Sequence, residues 1–109
     1  LDMKTSVFAY GAPDWRLANS ACSDIFHHYK IPVWSTVGTD AMILDEQAGF
    51  EHMLTVLMAS FDGANLIHDI GYTGQGLVSN PASIFRVVLE YPFLPDFTII
   101  IVIDPNSIF

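Results

Sequence analysis

Fixed positive charge is scarce in this chain. Lys4, Arg16, Lys30 and Arg86 stand against twelve aspartates and glutamates, for a formal net charge of −8 over 109 residues. With no basic stripe to neutralise phosphates, nucleic acid is not an expected partner. Cysteine is scarcer still. Cys22 is the only one, which excludes a disulfide framework, and its place among apolar neighbours of a helical pattern predicts a buried, structural thiol in a reducing compartment. Long hydrophobic runs are missing too. The longest, residues 99–103, has five apolar positions, far short of the roughly 18 a bilayer span requires, and no basic region followed by a hydrophobic one opens the chain. No membrane contact is expected, and the cytoplasm is the expected location. Nor is a metal set expected. His27 and His28 are adjacent, so on a helix they diverge by about 100° and cannot share the i, i+4 face that paired ligands use.

What the chain does have is apolar residues, 51% of the total, with only 15% charged. Disorder is excluded, and many segments are expected to be buried on more than one side. Residues 5–10, TSVFAY, are β-branched and aromatic and stop at Gly11-Ala12-Pro13, a strand followed by a turn. From Asp14, taken as the cap, Leu17, Ala21, Ile25 and Tyr29 recur at helical spacing, flanked by Ala18, Cys22 and Phe26, until Pro32. This predicts a helix with that stripe inward.

The pattern then repeats. Residues 32–37, PVWSTV, read as a strand leaving through Gly38-Thr39-Asp40, and residues 45–62 as a helix burying Phe50, Met53, Leu54, Leu57, Met58 and Phe61, with Gly63 as its stop. Residues 64–68, ANLIH, make a third strand. After a glycine-rich loop, Asn80-Pro81 caps a third helix carrying Ile84, Phe85, Val88 and Leu89, and residues 97–103 read as a fourth strand, apolar throughout. The order βαβαβαβ predicts an α/β fold with parallel strands, either an open doubly wound sheet or part of a (β/α)8 barrel. A whole barrel typically takes about 250 residues, so this chain would supply less than half.

In either architecture ligands bind beyond the carboxyl ends of the strands. That edge holds Tyr10 and Asp14, then Thr39 and Asp40, then His68, Asp69 and Tyr72. Asp14 and Thr39 are also ordinary helix-capping types, whereas Asp40 lies five residues ahead of the better cap at Asp45. The GYTGQG stretch lacks the order of a dinucleotide fingerprint and has no lysine for a phosphate loop.

Three blocks carry a resemblance: FAYGAPDWRLANSA (8–21), IPVWSTVGTDAMILDEQAGFEHMLTVLMA (31–59) and GANLIHDIGY (63–72). Together they resemble the trimethylamine methyltransferase family, whose D-x-Q-A-G-[FY]-E run followed by GAN-L-I-H looks like residues 45–51 and 63–68. The resemblance implies an eight-stranded barrel in which residues 1–90 are a segment of the later half, and it leaves residues 91–109 as a divergent tail with one apolar strand. It implies a methyltransferase that passes a methyl group from a methylated or quaternary amine, such as trimethylamine or glycine betaine, to the Co(I) cobamide of a separate corrinoid protein. The cobamide would be held by that partner rather than by this chain. The substrate side would be Tyr10, Thr39, Asp40, His68, Asp69 and Tyr72, with Gly71 and Gly74 facing the cofactor. Trp34 would join them only if alternation turns it away from the helices. The competing reading is a small, non-catalytic α/β binding module, a half-barrel that self-associates to cover its sheet edges.

Overall fold

The computed structural model describes residues 3–90. Its order is α1 (Pro13–His28), β1 (Trp34–Thr36), α2 (Glu46–Phe61), β2 (Leu66–His68), β3 (Tyr72–Thr73), β4 (Val78–Ser79) and α3 (Pro81–Glu90). The fold is α/β. β1 and β2 pair in parallel with Trp34 opposite Leu66 and Thr36 opposite His68, and the connection between them is α2, as a parallel pair requires.

Residues 5–10 are not a strand. Ser6 takes a left-handed backbone, φ 57°, which breaks extension, and among the described residues β1 is paired on one edge only. The expected strand at 97–103 lies outside the described residues. The glycine loop holds an unforeseen element instead, the short antiparallel pair β3–β4 with Thr73 opposite Val78.

Helix boundaries follow their local signals. Asp45 is the N-cap of α2, its carboxylate accepting from the Ala48 N–H at 3.0 Å, and the Asn80 side chain accepts from Ala82 N–H ahead of Pro81. Asp14 is not the cap of α1. Ala12 holds that place with no side-chain bond, and Asp14 sits in the first turn, where the helix dipole favours an acid. Asp45→Ala should cost about 1 kcal/mol, read as a lower urea midpoint; an unchanged midpoint would mean that the cap carries no stability.

The helical period is right, and the inward faces are not those expected. α1 buries Arg16 and Ser23 while Leu17 is 65% exposed and Ile25, Tyr29 and Cys22 are exposed too. α2 buries Ala48, His52, Thr55, Val56, Ala59 and Ser60. Phe50, Met53 and Phe61 face out, and Leu54, Leu57 and Met58 are half-buried. Small residues on the inner faces let the two helices approach closely, and Ser20 of α1 donates to Asp62 at the end of α2 at 2.8 Å. On α3 Ser83 and Val87 are buried, whereas Phe85 is exposed; the side chains of Val88 and Leu89 lie outside the description.

The core is Val37, Val56, Ala59, Ala64, Ile67, Ile70 and Val87, with Ile84 packed against it. It joins the Ile67 face of the sheet to α2 and α3. Because strand side chains alternate, Trp34, Thr36, Leu66 and His68 share the opposite face, and Trp34 on it is 66% exposed. The helices whose core contacts are described cover one side of the sheet.

Candidate functional site

Both parallel strands end at the same edge, so Thr36 and His68 are cross-strand neighbours. A hydrogen-bonded chain is built there. The Thr36 hydroxyl donates to Asp69 Oδ2 at 2.8 Å, and Asp69 Oδ1 meets His68 Nδ1 at 2.8 Å. Asp69 adopts φ 63°, a left-handed backbone uncommon for a non-glycine residue and of the kind that clusters at functional sites; its carboxylate bonds the imidazole next to it and the hydroxyl across the sheet. The Trp34 and His68 rings pack in a T, with their planes at 78° and their centroids 4.4 Å apart. A π-face, an imidazole and a carboxylate therefore meet at the open face.

Tyr10 closes the edge from above. Its ring lies against Gly38 and Gly76, and its hydroxyl is hydrogen-bonded to Thr36. Burial first and the Asp69 charge second push its phenol above the ordinary value, with the Thr36 bond and Arg16 opposing.

Arg16 is 1% exposed. It donates through Nη1 to the Thr36 carbonyl, while its Nε and Nη2 have no partner among the described residues. Burial pulls the guanidinium below its ordinary value, and Asp62, Tyr10 and Asp40 push back.

Thr39 and Asp40 do a different job. Thr39 is fully buried, donates its hydroxyl to Glu51 Oε2 at 2.6 Å, and accepts from the Ala41 N–H. Asp40 spends both carboxylate oxygens on backbone amides, Oδ1 on Tyr10 at 2.8 Å and Oδ2 on Gly11 at 3.1 Å. Glu51 Oε2 also accepts the Asp40 N–H at 2.8 Å, and a Cβ at Gly11 would lie 2.3 Å from the Glu51 carboxyl carbon. Only a glycine allows that approach. The two carboxylates hold the rim in place, Glu51 fastening the turn after β1 to α2 and Asp40 fastening the Tyr10 loop to that turn.

Burial pushes the Asp40 carboxyl above its ordinary value, the two amides pull it down and Glu51 raises it. A folded-state pKa above the unfolded one means that the native chain binds the proton more tightly. Asp40 therefore adds most stability below the unfolded pKa and loses it as pH rises through the raised value. The stability of the parent relative to Asp40→Asn should fall between pH 4 and pH 7 in urea titrations; a difference that grows or stays flat would reverse this reading.

Tyr72 lies in β3 and its carbonyl accepts the Thr39 N–H at 3.1 Å. Gly71 and Gly74 both have positive φ, with a Cβ at the first meeting Ile84 and at the second Met42, so each is also required for loop packing. Of the sequence-derived set, Tyr10, His68 and Asp69 converge, whereas Thr39 and Asp40 support them. Thr36, Arg16 and Glu51 were not foreseen. Alternation from His68 across a parallel pair could have found Thr36, and Glu51 closes the DEQAGFE run.

Residues 1–89 match the family described as trimethylamine methyltransferase (MTTB). The chain is 30% identical over 77 residues to trimethylamine methyltransferase MttB of Methanosarcina barkeri (strain Fusaro), covering 70% of this chain and 16% of that protein. It is 33% identical over 67 residues to glycine betaine methyltransferase of Desulfitobacterium hafniense (strain Y51), covering 61% and 14%. Trimethylamine methyltransferase MttB2 of Methanosarcina mazei is 31% identical over 77 residues, covering 70% and 16%. The chain thus spans about one-sixth of the length of these relatives. No solved structure matches it.

Proposed function

The chain belongs to the trimethylamine methyltransferase family, and from that membership we propose that it is one segment of a (β/α)8 barrel that demethylates a methylated or quaternary amine for a corrinoid protein. The observation that carries this reading is the one-sided sheet. Val37 and Ile67 are buried against helices, while Trp34, Thr36 and His68 line a face without helices in the described core, as on the inner wall of a barrel.

The residues on that face fit a methylated ammonium. The Trp34 ring attracts a cation through its quadrupole, at about 0.5–2 kcal/mol depending on desolvation. Asp69 adds a negative charge held in place by Thr36 and His68, and the imidazole edge can bond a substrate carboxylate. The cobamide of the partner would supply the nucleophile that accepts the methyl group. In that transfer the C–N bond breaks and its electron pair stays on nitrogen. A quaternary amine leaves as a neutral tertiary amine, so no general acid is demanded of this chain. What it supplies is position and charge: Trp34 and Asp69 seat the cation, Tyr10 and the β3–β4 loop wall the strand ends, and Gly71 and Gly74 give the loop its close approach. The cytoplasm suits this chemistry; among the described residues no helix is long and apolar enough to cross a membrane.

A chimera tests the reading. Residues 3–88 replace the corresponding stretch of the Desulfitobacterium enzyme, and formation of dimethylglycine from glycine betaine is followed with Co(I) cobalamin as acceptor. Turnover is expected, with Trp34→Ala raising KM about tenfold; a correctly folded but inactive chimera would sink the proposal. The 109-residue chain alone is expected to give no product. A self-associating binding module is the second reading, favoured by the exposed Leu17, Phe50 and Phe61. A stable dimer on size exclusion, together with an inactive chimera, would support it.

A further inference from the structure

The open face of the sheet commits its donor protons inward and leaves an acceptor outward. Trp34, Thr36, Leu66 and His68 share that face by alternation across the parallel pair, and Asp69 follows at its carboxyl end. An aspartate carboxylate only accepts hydrogen bonds. Its Oδ2 takes the Thr36 hydroxyl proton at 2.8 Å, so Thr36 Oγ has no second proton and accepts from the Tyr10 hydroxyl bonded to it. Its Oδ1 lies 2.8 Å from His68 Nδ1, so that nitrogen carries the ring proton.

The tautomer follows. A neutral imidazole protonated on Nδ1 is an acceptor at Nε2, and the contacts of His68 among the described residues are the Asp69 carboxylate at Nδ1, the Trp34 ring and the β1 backbone. None of the four side chains on the face is a fixed cation. A carboxylate brought there meets acceptors, and only a protonated, cationic ring could bond it. A hydroxyl, in contrast, is bonded by the neutral ring.

We infer that this face takes a quaternary amine carrying a hydroxyl close to its nitrogen, a ligand of the choline type. The inference rests on the methyltransferase reading for the cation and adds what the second group must be. Trp34, 66% exposed, offers its ring to the trimethylammonium head, Asp69 supplies the opposite charge, and His68 Nε2 accepts the hydroxyl proton. The Trp34 and His68 ring centroids are 4.4 Å apart, so the arm between nitrogen and hydroxyl is short, about two carbons. Passing one methyl group to the partner's cobamide breaks one C–N bond, leaves its electron pair on nitrogen and releases neutral dimethylaminoethanol. The hydroxyl keeps its proton throughout, so His68 orients the ligand and exchanges nothing with it.

Two measurements on the full 109-residue chain test it at about pH 8, where an ordinary imidazole is neutral. Proton–nitrogen correlation spectra of the histidine rings, assigned with His68→Phe, should show His68 protonated at Nδ1, with an Nε2 resonance that choline moves and tetramethylammonium does not. Titrations followed by tryptophan fluorescence should give a preference for choline over tetramethylammonium that falls about tenfold in His68→Phe, the loss of one hydrogen bond. A proton on Nε2 would overturn the inference, as would an Nε2 resonance that choline leaves in place. Tighter binding of glycine betaine than of choline, or an equal preference in parent and variant, would overturn it too. Failure of the methyltransferase reading looks different: the chimera would turn over neither glycine betaine nor choline, while the His68 spectra and the choline preference of the chain persist and uphold the ligand.

Discussion

Replacing Gly71 by alanine is expected to lower stability by about 3–4 kcal/mol, combining backbone strain with overpacking. Gly71 has φ +91°, and a Cβ there would lie 2.2 Å from Ile84 Cγ1 and 3.2 Å from the Asn80 carbonyl. Neither neighbour yields easily. Ile84 packs against the core, and the Asn80 carbonyl accepts the Ser83 and Ile84 amides that start α3, so the methyl would push α3 off the Ile67 face. Urea unfolding measures the loss. Gly49→Ala, inside α2, makes the opposing control, because alanine in a helix interior gains roughly 0.5–1 kcal/mol over glycine. A Gly71→Ala midpoint equal to the parent's would show that the loop does not hold this conformation.

Glu51→Ala is expected to cost about 3 kcal/mol, because it strands a buried donor besides deleting charge-assisted bonds. The Thr39 hydroxyl, fully buried, would lose its 2.6 Å acceptor, and the Asp40 N–H its 2.8 Å one. Glu51→Gln keeps one carbonyl acceptor and should lose about half as much. The pattern of damage separates anchoring from bulk destabilisation. Amide resonances of residues 38–41 and of Tyr10 and Gly11 should shift together, since Asp40 links the two loops, while those of β2 hold. A uniform shift across the core, or none at the Tyr10 loop, would refute the anchoring role.

Membership of the family was legible because three blocks of residues survive in order, and the ends of α2 and the start of α3 were legible because caps act within one turn. Asp45, Asn80 and Gly63 needed no tertiary information. The strand-end residues Tyr10, His68 and Asp69 could be named because ligand sites in parallel α/β folds lie at the carboxyl edge. Their hydrogen bonds could not. Thr36 bonds Asp69 across 33 positions of sequence, and no local pattern encodes a partner at that distance. Thr39 illustrates the same limit from the other side. Its strand-end position suggested a ligand contact, whereas the hydroxyl is consumed by Glu51 one helix later.

The helix faces show most clearly where sequence reading stops. Periodicity determined that one helix runs from Asp14 towards Pro32 and another over residues 45–62, since hydrogen-bond geometry sets 3.6 residues per turn regardless of context. It could not set which side turns inward, because these helices carry apolar residues on more than one side. In α2 the small stripe of Ala48, Val56 and Ala59 lies inside while Phe50 and Phe61 lie outside; close approach to the sheet selects small side chains, and that demand arises only once the sheet exists. Residues 5–10 make the same point for strands. By itself the sequence determined their β-branched, aromatic character, but a strand is completed by its neighbour's backbone, and only the tertiary structure decided that Ser6 bends the segment away from β1.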